Sequence, residues 1–444
     1  MSYKQEIKNV IFRFIGSKRM TKWASLELRN KQRANAEVKR IKEGRSHEIT
    51  YFHSVSDPYS YLVLQKLDNF INSYDVNFNF ILVGDPPLLA TPEPDMYKDY
   101  SLLDSIRIAP FYSTKPPAID QLPTLHNIQN VQRLLTNTSK EDLINKALSL
   151  GHLLWQGNVS NLETLVKDQG HSIEQSENII QSGNDLRHQL KHYLAAVFNY
   201  EGENYWGLDR LQHLERRLKD LNLKTSEKDF ISKRTISNPK NLNHENNFTL
   251  EFYPSLNSPY TYISFERVKA LSKNYPVKLV VKPVLPMLMR GMKIPSTKGL
   301  YIVGDASREG LDVGVKFNKV LTPIGKPAER AYSLFPWIDS KNKGFDYLHK
   351  LMISSFHDGK NIYKESYLQG LIEELDLEWE EAREHLDNNT WQAILEKNRL
   401  NMYEGSVWGV PGFKLVGPND YSFSVWGQDR FWLLKKEIMN LTKR

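Results

Sequence analysis

The chain has 444 residues, of which 40% are hydrophobic and none is cysteine, and its formal net charge is +7. Without cysteine, the chain itself forms no disulfide, no thiolate metal site and no dithiol for redox exchange. No apolar stretch approaches the roughly 20 residues that a membrane helix needs, and no secretory signal is visible. These features predict a cytoplasmic protein without a transmembrane span.

The excess positive charge is concentrated at the N-terminus. Residues 1–45 contain thirteen Lys or Arg and four Glu, so this segment carries +9 and the remaining 399 residues carry −2. A nearly neutral body offers no basic channel for a phosphate backbone, and nucleic acid is therefore not expected as a partner.

Residues 1–47 are predicted to form a basic helical arm. Its apolar residues recur at helical spacing on one face: Ile7, Val10, Ile11, Phe14 and Ile15. Gly16 is predicted to break or bend the helix. Two interpretations are open. The arm either packs its apolar stripe on the body or on another subunit, or contacts a membrane or an acidic partner as a basic amphipathic helix.

A strand followed by a helix start occurs twice in the chain. Residues 249–253 alternate polar and apolar, as a strand does, and Ser258 and Pro259 follow as the N-cap and first residue of a helix. The same pattern recurs 201 residues earlier, around Asp57 and Pro58. Other pairs keep constant offsets: Tyr100, Asp104 and Arg107 with Tyr301, Asp305 and Arg308, and Trp206, Gly207, Asp209 and Arg210 with Trp426, Gly427, Asp429 and Arg430. The constant offsets indicate a tandem duplication.

Each copy is predicted to begin with a βαβ unit, to continue with a long helical insertion, and to end in a β-hairpin and a helix. The first copy spans residues 48–218 and the second spans residues 248–444. Residues 219–247 are predicted to be a linker, because they show almost no apolar periodicity. The hairpin of the second copy is predicted at 410–426, and its closing helix at 428–441.

The motifs resemble those of the DsbA-like thioredoxin-fold superfamily. They are a Ser-Pro-Tyr turn at the first helix, a Val-Pro before the hairpin and a Trp-Gly-x-Asp-Arg at the last helix. Within the superfamily the chain looks most similar to the 2-hydroxychromene-2-carboxylate isomerases and kappa-class glutathione transferases. The resemblance implies an α/β fold of two tandem thioredoxin-like domains, each with a helical insertion, preceded by the basic helical arm.

The resemblance also implies a glutathione site in the second copy. Ser258 falls at the position of the family's catalytic serine. Pro411 falls at the cis-proline, which presents the backbone of Val410 to the cysteinyl part of glutathione. Gln428 and Asp429 fall where the family holds the γ-glutamyl end. No metal is expected at this site.

Further residues match positions near the substrate mouth of the isomerases. They follow a Lys-x-x-Tyr-x-x-x-Asp-x-x-Arg pattern: Lys298, Tyr301, Asp305 and Arg308. Tyr260 is a candidate hydroxyl donor near the thiol. A structural role is open for Tyr260 and for the Asp-Arg pair, because both recur in the first copy.

The implied reaction uses glutathione as cofactor and an aromatic or conjugated organic acid as substrate. Ser258 and the helix dipole would favour the thiolate, which adds to an electrophilic carbon and then leaves, as in an isomerase, or stays, as in a transferase. The first copy departs from the pattern at Asp57, Ala196 and Leu208, so its site is predicted to be degenerate.

Two alternatives stand beside this interpretation. Ser258 is also an ordinary N-cap residue. A non-catalytic thioredoxin-fold scaffold or binding protein, with two degenerate sites and with the arm as the partner contact, is the alternative function. Dithiol–disulfide oxidoreductase activity is excluded for a chain without cysteine.

Overall fold

The computed structural model describes residues 3–234 and 248–441, with side chains from Phe14 onward. The chain divides into two compact units, one of Met1–Asn30 with Asn238–Arg444 and the other of Lys31–Ser237. The side chains of Ile7, Val10 and Ile11, and residues 235–247 of the predicted linker, lie outside the described part. None of the described helices is long and apolar enough to cross a bilayer.

Two helices form the N-terminal arm, α1 (Tyr3–Ala24) and α2 (Leu26–Lys42). The prediction of a break at Gly16 is wrong, since α1 continues through it and ends just before Ser25. The Ser25 hydroxyl accepts a hydrogen bond from Leu28 N at 3.2 Å, which satisfies a free N–H at the start of α2. The break therefore lies at the residue that caps the second helix.

The first sheet contains the strands β1 (Glu48–His53), β2 (Asn77–Leu82), β3 (Val197–Tyr200) and β4 (Glu203–Trp206). Its order is β2-β1-β3-β4, with β1 parallel to β2 and the other pairs antiparallel. The predicted βαβ start and β-hairpin finish are confirmed. The central strand β1 is buried along almost all of its length, and its Tyr51 ring lies 4.8 Å from that of Phe198.

The helices of this half lie between and after the strands. They are α3 (Pro58–Ile71), α4 (Pro94–Ile108), α5 (Leu125–Thr136), α6 (Leu143–Trp155), α7 (Leu162–Gln169), α8 (Ile173–Gln189) and α9 (Gly207–Asp220). The predicted helical stretch before the hairpin is therefore four separate helices. Short turns cut it into segments that pack on one another and on α3.

The second sheet repeats the same order, β6-β5-β7-β8. Its strands are β5 (Phe248–Tyr253), β6 (Val277–Val281), β7 (Gly412–Val416) and β8 (Ser422–Trp426). Tyr253 pairs with Gly412 at the end of β5, as Phe52 pairs with Val197 in the first sheet. The hairpin of this copy therefore begins at Gly412 rather than at 410, and the two residues before it lie outside the ladder.

The helices of the second half are α10 (Pro259–Tyr262), α11 (Phe265–Asn274), α12 (Ser296–Asp312), α13 (Lys326–Ser340), α14 (Gly344–Phe356), α15 (Glu365–Glu373), α16 (Trp379–Arg383), α17 (Thr390–Glu404) and α18 (Phe431–Leu441). The closing helix α18 begins three residues later than predicted, because Gln428–Arg430 form a 3-10 turn.

The first helix of the second copy is divided, unlike its counterpart. The chain runs as α3 without interruption in the first copy, but it breaks between α10 and α11 in the second. At the break, the Ser264 hydroxyl donates to Tyr260 O at 2.8 Å, and Ser264 N bonds to Thr261 O. A serine that bonds back to the carbonyl four residues earlier tends to bend a helix. The first copy has Val63 at this position, which makes no such bond.

The first helix of the arm packs against α12 and the segment that follows it through small and polar residues. Ser17 Oγ accepts from Thr322 N at 3.0 Å, and the Ser307 hydroxyl donates to Ala24 O at 2.6 Å. Phe14 and Ile15 remain exposed. The arm thus packs on the body, but the described part of the predicted apolar stripe is not the surface that it buries.

Part of the predicted linker is held by hydrogen bonds to the first half. Residues 221–234, here called the connecting segment, follow α9. The buried carboxylate of Glu215 accepts from Ile231 N at 2.7 Å and from Ser232 N at 3.0 Å. The Tyr74 hydroxyl also donates to Glu215, at 3.0 Å. Absence of apolar periodicity therefore did not mean absence of fixed contacts in this segment.

Candidate functional site

The register of the second sheet brings Ser258 and Val410 to the same edge. Tyr253, the last residue of β5, is paired with Gly412, the first residue of β7. Ser258 follows Tyr253 by five residues, and Val410 precedes Gly412 by two. Both residues therefore leave neighbouring strands at one end of the sheet, which is where the resemblance expects a thiol ligand.

Ser258 is the N-cap residue of α10, and its backbone is extended. Its hydroxyl oxygen accepts a hydrogen bond from Thr261 N at 3.2 Å. Among the described residues, the hydroxyl hydrogen of Ser258 has no acceptor, and the side chain is half-buried. Because α10 has only four residues, its dipole is small, and the donor that Ser258 offers to a ligand is mainly its own hydroxyl.

Val410 and Pro411 form the other side of this edge. The peptide bond between them is cis, as the resemblance implies. Pro411 O accepts from Gly427 N at 2.9 Å, which joins this turn to the start of the last helical segment. Neither the N–H nor the C=O of Val410 has a hydrogen-bond partner in the described part of the chain. Val410 is also partly exposed, so these groups can pair with an extended ligand backbone.

Gln428 and Asp429 have different surroundings. Gln428 is only 3% exposed, and its amide donates to Asp429 Oδ1 at 2.6 Å and to Glu309 Oε2 at 2.9 Å. Arg267 donates to Gln428 Oε1 at 2.8 Å. The side chain of Gln428 is thus used inside the protein and orients Asp429. Asp429 is partly exposed and is the better placed of the two to meet a ligand.

The Asp-Arg pair of the substrate-mouth pattern is buried. Tyr260 donates to Asp305 Oδ2 at 2.7 Å, and Arg308 donates to Asp305 Oδ1 at 2.5 Å. In the first copy, Tyr59 donates to Asp104 at the same distance of 2.7 Å. The bond thus connects the first helical turn to the helix after the second strand in both copies, including the half that lacks the site motifs. This favours the structural role that the sequence left open.

Lys298 lies close to the Val410 edge. Its ammonium lies 5.7 Å from the centre of the Trp408 ring, two residues before Val410. Trp408 in turn lies 4.7 Å from the Trp426 ring. Burial lowers the pKa of Lys298 to about 8, so its charge is retained near neutral pH but is more easily lost than that of a surface lysine. Tyr301, almost one turn further along α12, is half-buried.

In the first copy, an acidic side chain occupies the position of Ser258. The Asp57 carboxylate caps α3 and accepts from Tyr59 N at 3.3 Å, from Ser60 N at 2.9 Å and from Ser60 Oγ at 2.8 Å. Burial raises the pKa of Asp57 to about 6, although these hydrogen bonds oppose the shift. Near neutral pH this group is an anion and offers no hydrogen to a thiolate.

The remaining positions of the first copy also lack an open ligand edge. Ala196 has φ +54° and accepts from Gly207 N at 2.7 Å, as Pro411 does from Gly427. Ala195, the counterpart of Val410, is buried. Asp209, the counterpart of Asp429, accepts from the Tyr112 hydroxyl at 2.9 Å and pairs with Arg234 at 3.6 Å.

The sequence did not identify several residues around the site. Trp408, Glu309 and Arg267 contact predicted site residues but were not among the candidates. Trp408 stands two residues before the Val-Pro dipeptide, and its aromatic character was a usable signal. Glu309 and Arg267 lie on helices where a charge is usually solvent-exposed, so their pattern carried no signal. Among the described residues no group of His, Asp or Glu is arranged to hold a metal ion.

Residues 249–439 match the family model of the DSBA-like thioredoxin domain. The second half of the chain is therefore a DsbA-like thioredoxin domain, in agreement with its sheet order and with the Val410–Pro411 turn. No curated protein matches the chain in sequence.

Solved structures that are similar to this chain cover about one half of it. The structure of 2-hydroxychromene-2-carboxylate isomerase is 20% identical, with a TM-score of 0.36, and covers 44% of this chain and 95% of its own. The cytosolic disulfide reductase DsbM from Pseudomonas aeruginosa is 14% identical, with a TM-score of 0.33, and covers 44% of this chain and 96% of its own. Likenesses of this size say nothing about the activity of the present chain.

Proposed function

We propose that the second half of the chain binds glutathione and that Ser258 stabilises the glutathione thiolate. The thiolate then adds to an electrophilic carbon of an aromatic or conjugated organic acid, in an isomerase or transferase reaction. The observation that supports this most is the hydroxyl of Ser258. It is held in place by Thr261 N and has no acceptor of its own among the described residues, and it lies at the same sheet edge as the unpaired backbone of Val410.

The docking of glutathione follows from the groups at this edge. The cysteinyl part pairs with the N–H and C=O of Val410, as an added strand pairs with a sheet edge. The carboxylate of Asp429 receives the ammonium of the γ-glutamyl end. This arrangement directs the thiol toward Ser258, whose O–H donates to sulfur and favours the charged form.

The chemical step involves no net oxidation or reduction. The thiol loses its proton to solvent, the thiolate forms a C–S bond at the conjugated carbon, and the electron pair moves to the acceptor end of the conjugated system. In an isomerase, the carbon–carbon bond that the addition has made single rotates, and the thiolate then leaves. In a transferase, the adduct takes up a proton and the C–S bond stays. Lys298, charged below pH about 8 and 5.7 Å from the Trp408 ring, is the candidate cation for the substrate carboxylate.

The role of Ser258 is tested by the pKa of bound glutathione, followed through the ultraviolet absorbance of the thiolate. A charge-assisted hydrogen bond contributes about 1.5–3 kcal/mol, which corresponds to about one to two pKa units. We expect Ser258→Ala to raise the thiol pKa by this amount. Ser258→Thr keeps a hydroxyl and is expected to retain the wild-type value, which separates loss of the donor from loss of the fold.

The pairing of glutathione with the backbone of Val410 is tested by isothermal titration with reduced glutathione. Val410→Pro removes the N–H that pairs with the ligand and is expected to weaken binding about tenfold, in the range of one hydrogen bond. Val410→Ala keeps the backbone groups and serves as the matched control. Equal affinities of the two variants for glutathione would argue against backbone pairing at Val410. No binding at millimolar glutathione would favour the non-catalytic scaffold.

A further inference from the structure

The helix α2 exposes a face that the proposed glutathione chemistry does not use. It contains six Lys or Arg and two Glu over Leu26–Lys42, and none of its residues is buried. Two of its largest apolar side chains are strongly exposed, Val38 at 67% and Ile41 at 64%. A helix that normally packs on a protein body would bury such side chains.

The arginines in the C-terminal part of α2 are hydrogen-bonded to protein groups. Arg33 forms a bidentate pair with Glu203, at 2.7 and 2.9 Å. Arg40 binds Glu37 and donates to Arg45 O at 2.7 Å. Arg45 binds Glu201 at 2.7 Å, which holds the chain just after the helix. The contacts of Arg33 with Glu203 and of Arg45 with Glu201 fix which side of the helix faces the protein.

The lysines and apolar residues point to the other side. At about 100° per residue, Val38 lies about 140° from Arg33 around the helix axis, and Lys31 and Lys42 lie about 160° and 180° from it. Ile41 and Lys39 flank this surface. Lys31 and Lys42 have no ion-pair partner among the described residues, and Lys39 makes only an exposed pair with Glu43 at 3.8 Å. We call Lys31, Val38, Lys39, Ile41 and Lys42 the lysine face.

We propose that the lysine face binds the surface of an anionic lipid bilayer. Exposed apolar side chains beside a row of lysines are a composition that lies in a membrane interface, with the apolar side chains at the acyl boundary and the ammonium groups among the headgroups. Lysine attracts anionic lipid as a flexible point charge, whereas shaped recognition of acidic protein groups uses arginine. In this helix the arginines are directed inward and the lysines outward, which favours lipid over an acidic protein.

The proposal is tested by co-sedimentation of the full chain with lipid vesicles. We expect binding to vesicles of phosphatidylcholine mixed with phosphatidylserine, much weaker binding to phosphatidylcholine alone, and loss of binding at high salt. Each lysine near an anionic surface contributes about fivefold to binding. The triple variant Lys31→Gln, Lys39→Gln, Lys42→Gln should therefore bind about a hundredfold more weakly.

Matched variants in the first half control for charge and for exposed apolar area. Lys140→Gln, Lys167→Gln and Lys191→Gln remove three exposed lysines elsewhere and should leave vesicle binding unchanged. Val38→Ser with Ile41→Ser should weaken binding about tenfold, whereas Leu125→Ser with Ile173→Ser, at other exposed apolar sites, should not. Equal binding to both kinds of vesicle, no binding to either, or full binding by the triple variant would overturn the proposal.

Discussion

At the scale of single residues, the two copies differ in chemistry at one conserved backbone geometry. Asp57 has φ −102° and ψ 115°, and Ser258 has φ −103° and ψ 113°. Both side chains cap the first helix of their copy. The serine keeps a hydrogen for a ligand, whereas the aspartate is a half-buried acceptor whose hydrogen-bond donors all come from its own helix. The choice of side chain therefore separates a candidate thiolate site from a structural cap.

The half-buried carboxyl of Asp57 makes the stability of the first half depend on pH. Its pKa is raised to about 6 in the folded chain, so the unfolded chain loses this proton first as pH rises. The free energy of unfolding should fall between pH about 4 and about 6 and stay lower above that range. Asp57→Asn keeps a good N-cap and should remove this fall, with a gain of on the order of 2 kcal/mol near pH 7.

Urea unfolding at several pH values measures this effect. Asp68→Asn, at an exposed position of the same helix, is the control and should follow the wild type. A wild-type pH dependence that persists in Asp57→Asn would show that another group is responsible.

At the scale of elements, one helix organises the segment that follows it. Glu215 lies on α9, is fully buried, and receives hydrogen bonds from Tyr74 and from the backbone of Ile231 and Ser232. Burial raises the pKa of this carboxyl, although the donors oppose the shift. A carboxylate that accepts this many hydrogen bonds fixes a stretch of chain that has no secondary structure of its own.

Glu215→Gln replaces one acceptor oxygen by an NH₂ group that faces donors. Each buried donor left without an acceptor costs about 1–3 kcal/mol, so we expect a loss of stability of about 2–3 kcal/mol. Limited proteolysis should then cut the connecting segment faster. Glu163→Gln, at an exposed residue of the same half, should change neither quantity. Unchanged cleavage in Glu215→Gln would show that the segment is held by other contacts.

At the scale of the whole molecule, the same sheet order occurs in both halves, but the backbone just before the hairpin is exposed to a different extent in each. The order is β2-β1-β3-β4 in the first half and β6-β5-β7-β8 in the second. Val410 is partly exposed, whereas its counterpart Ala195 is buried. The fold is thus common to the two halves, and the accessibility of one backbone segment distinguishes them.

This difference is tested by introducing the cysteines that the chain lacks. Ser258→Cys with Thr261→Cys creates a Cys-Pro-Tyr-Cys motif at the start of α10, and Asp57→Cys with Ser60→Cys creates the same motif in the first half. The wild type should not reduce insulin disulfides in a coupled turbidity assay. We expect the first double variant to gain this activity and the second to gain little, because Ala195 is not accessible to a substrate strand. Equal activity of the two double variants would contradict the assignment of a single open edge.

Local patterns were sufficient to predict much of the fold and part of the site. The constant offset between Asp57 and Ser258 predicted the repeat of the sheet order, and the Ser-Pro and Val-Pro dipeptides located the first helix start and the turn before the hairpin. Strand alternation predicted β1 and β5 to within a residue or two. These features depend on neighbouring residues, whose turn and helix preferences act over a few positions.

Tertiary structure alone decided which polar residues are hydrogen-bonded inside the protein. Gln428 was expected at the ligand but is buried against Glu309 and Arg267, which are more than 100 residues away in the chain. The arm packs through Ser17 and Ala24 rather than through the exposed Phe14 and Ile15. By itself, the sequence determined the absence of cysteine, the repeated motifs and the order of elements. The burial and hydrogen bonding of each side chain were decided only by folding, because they depend on partners that are distant in the sequence.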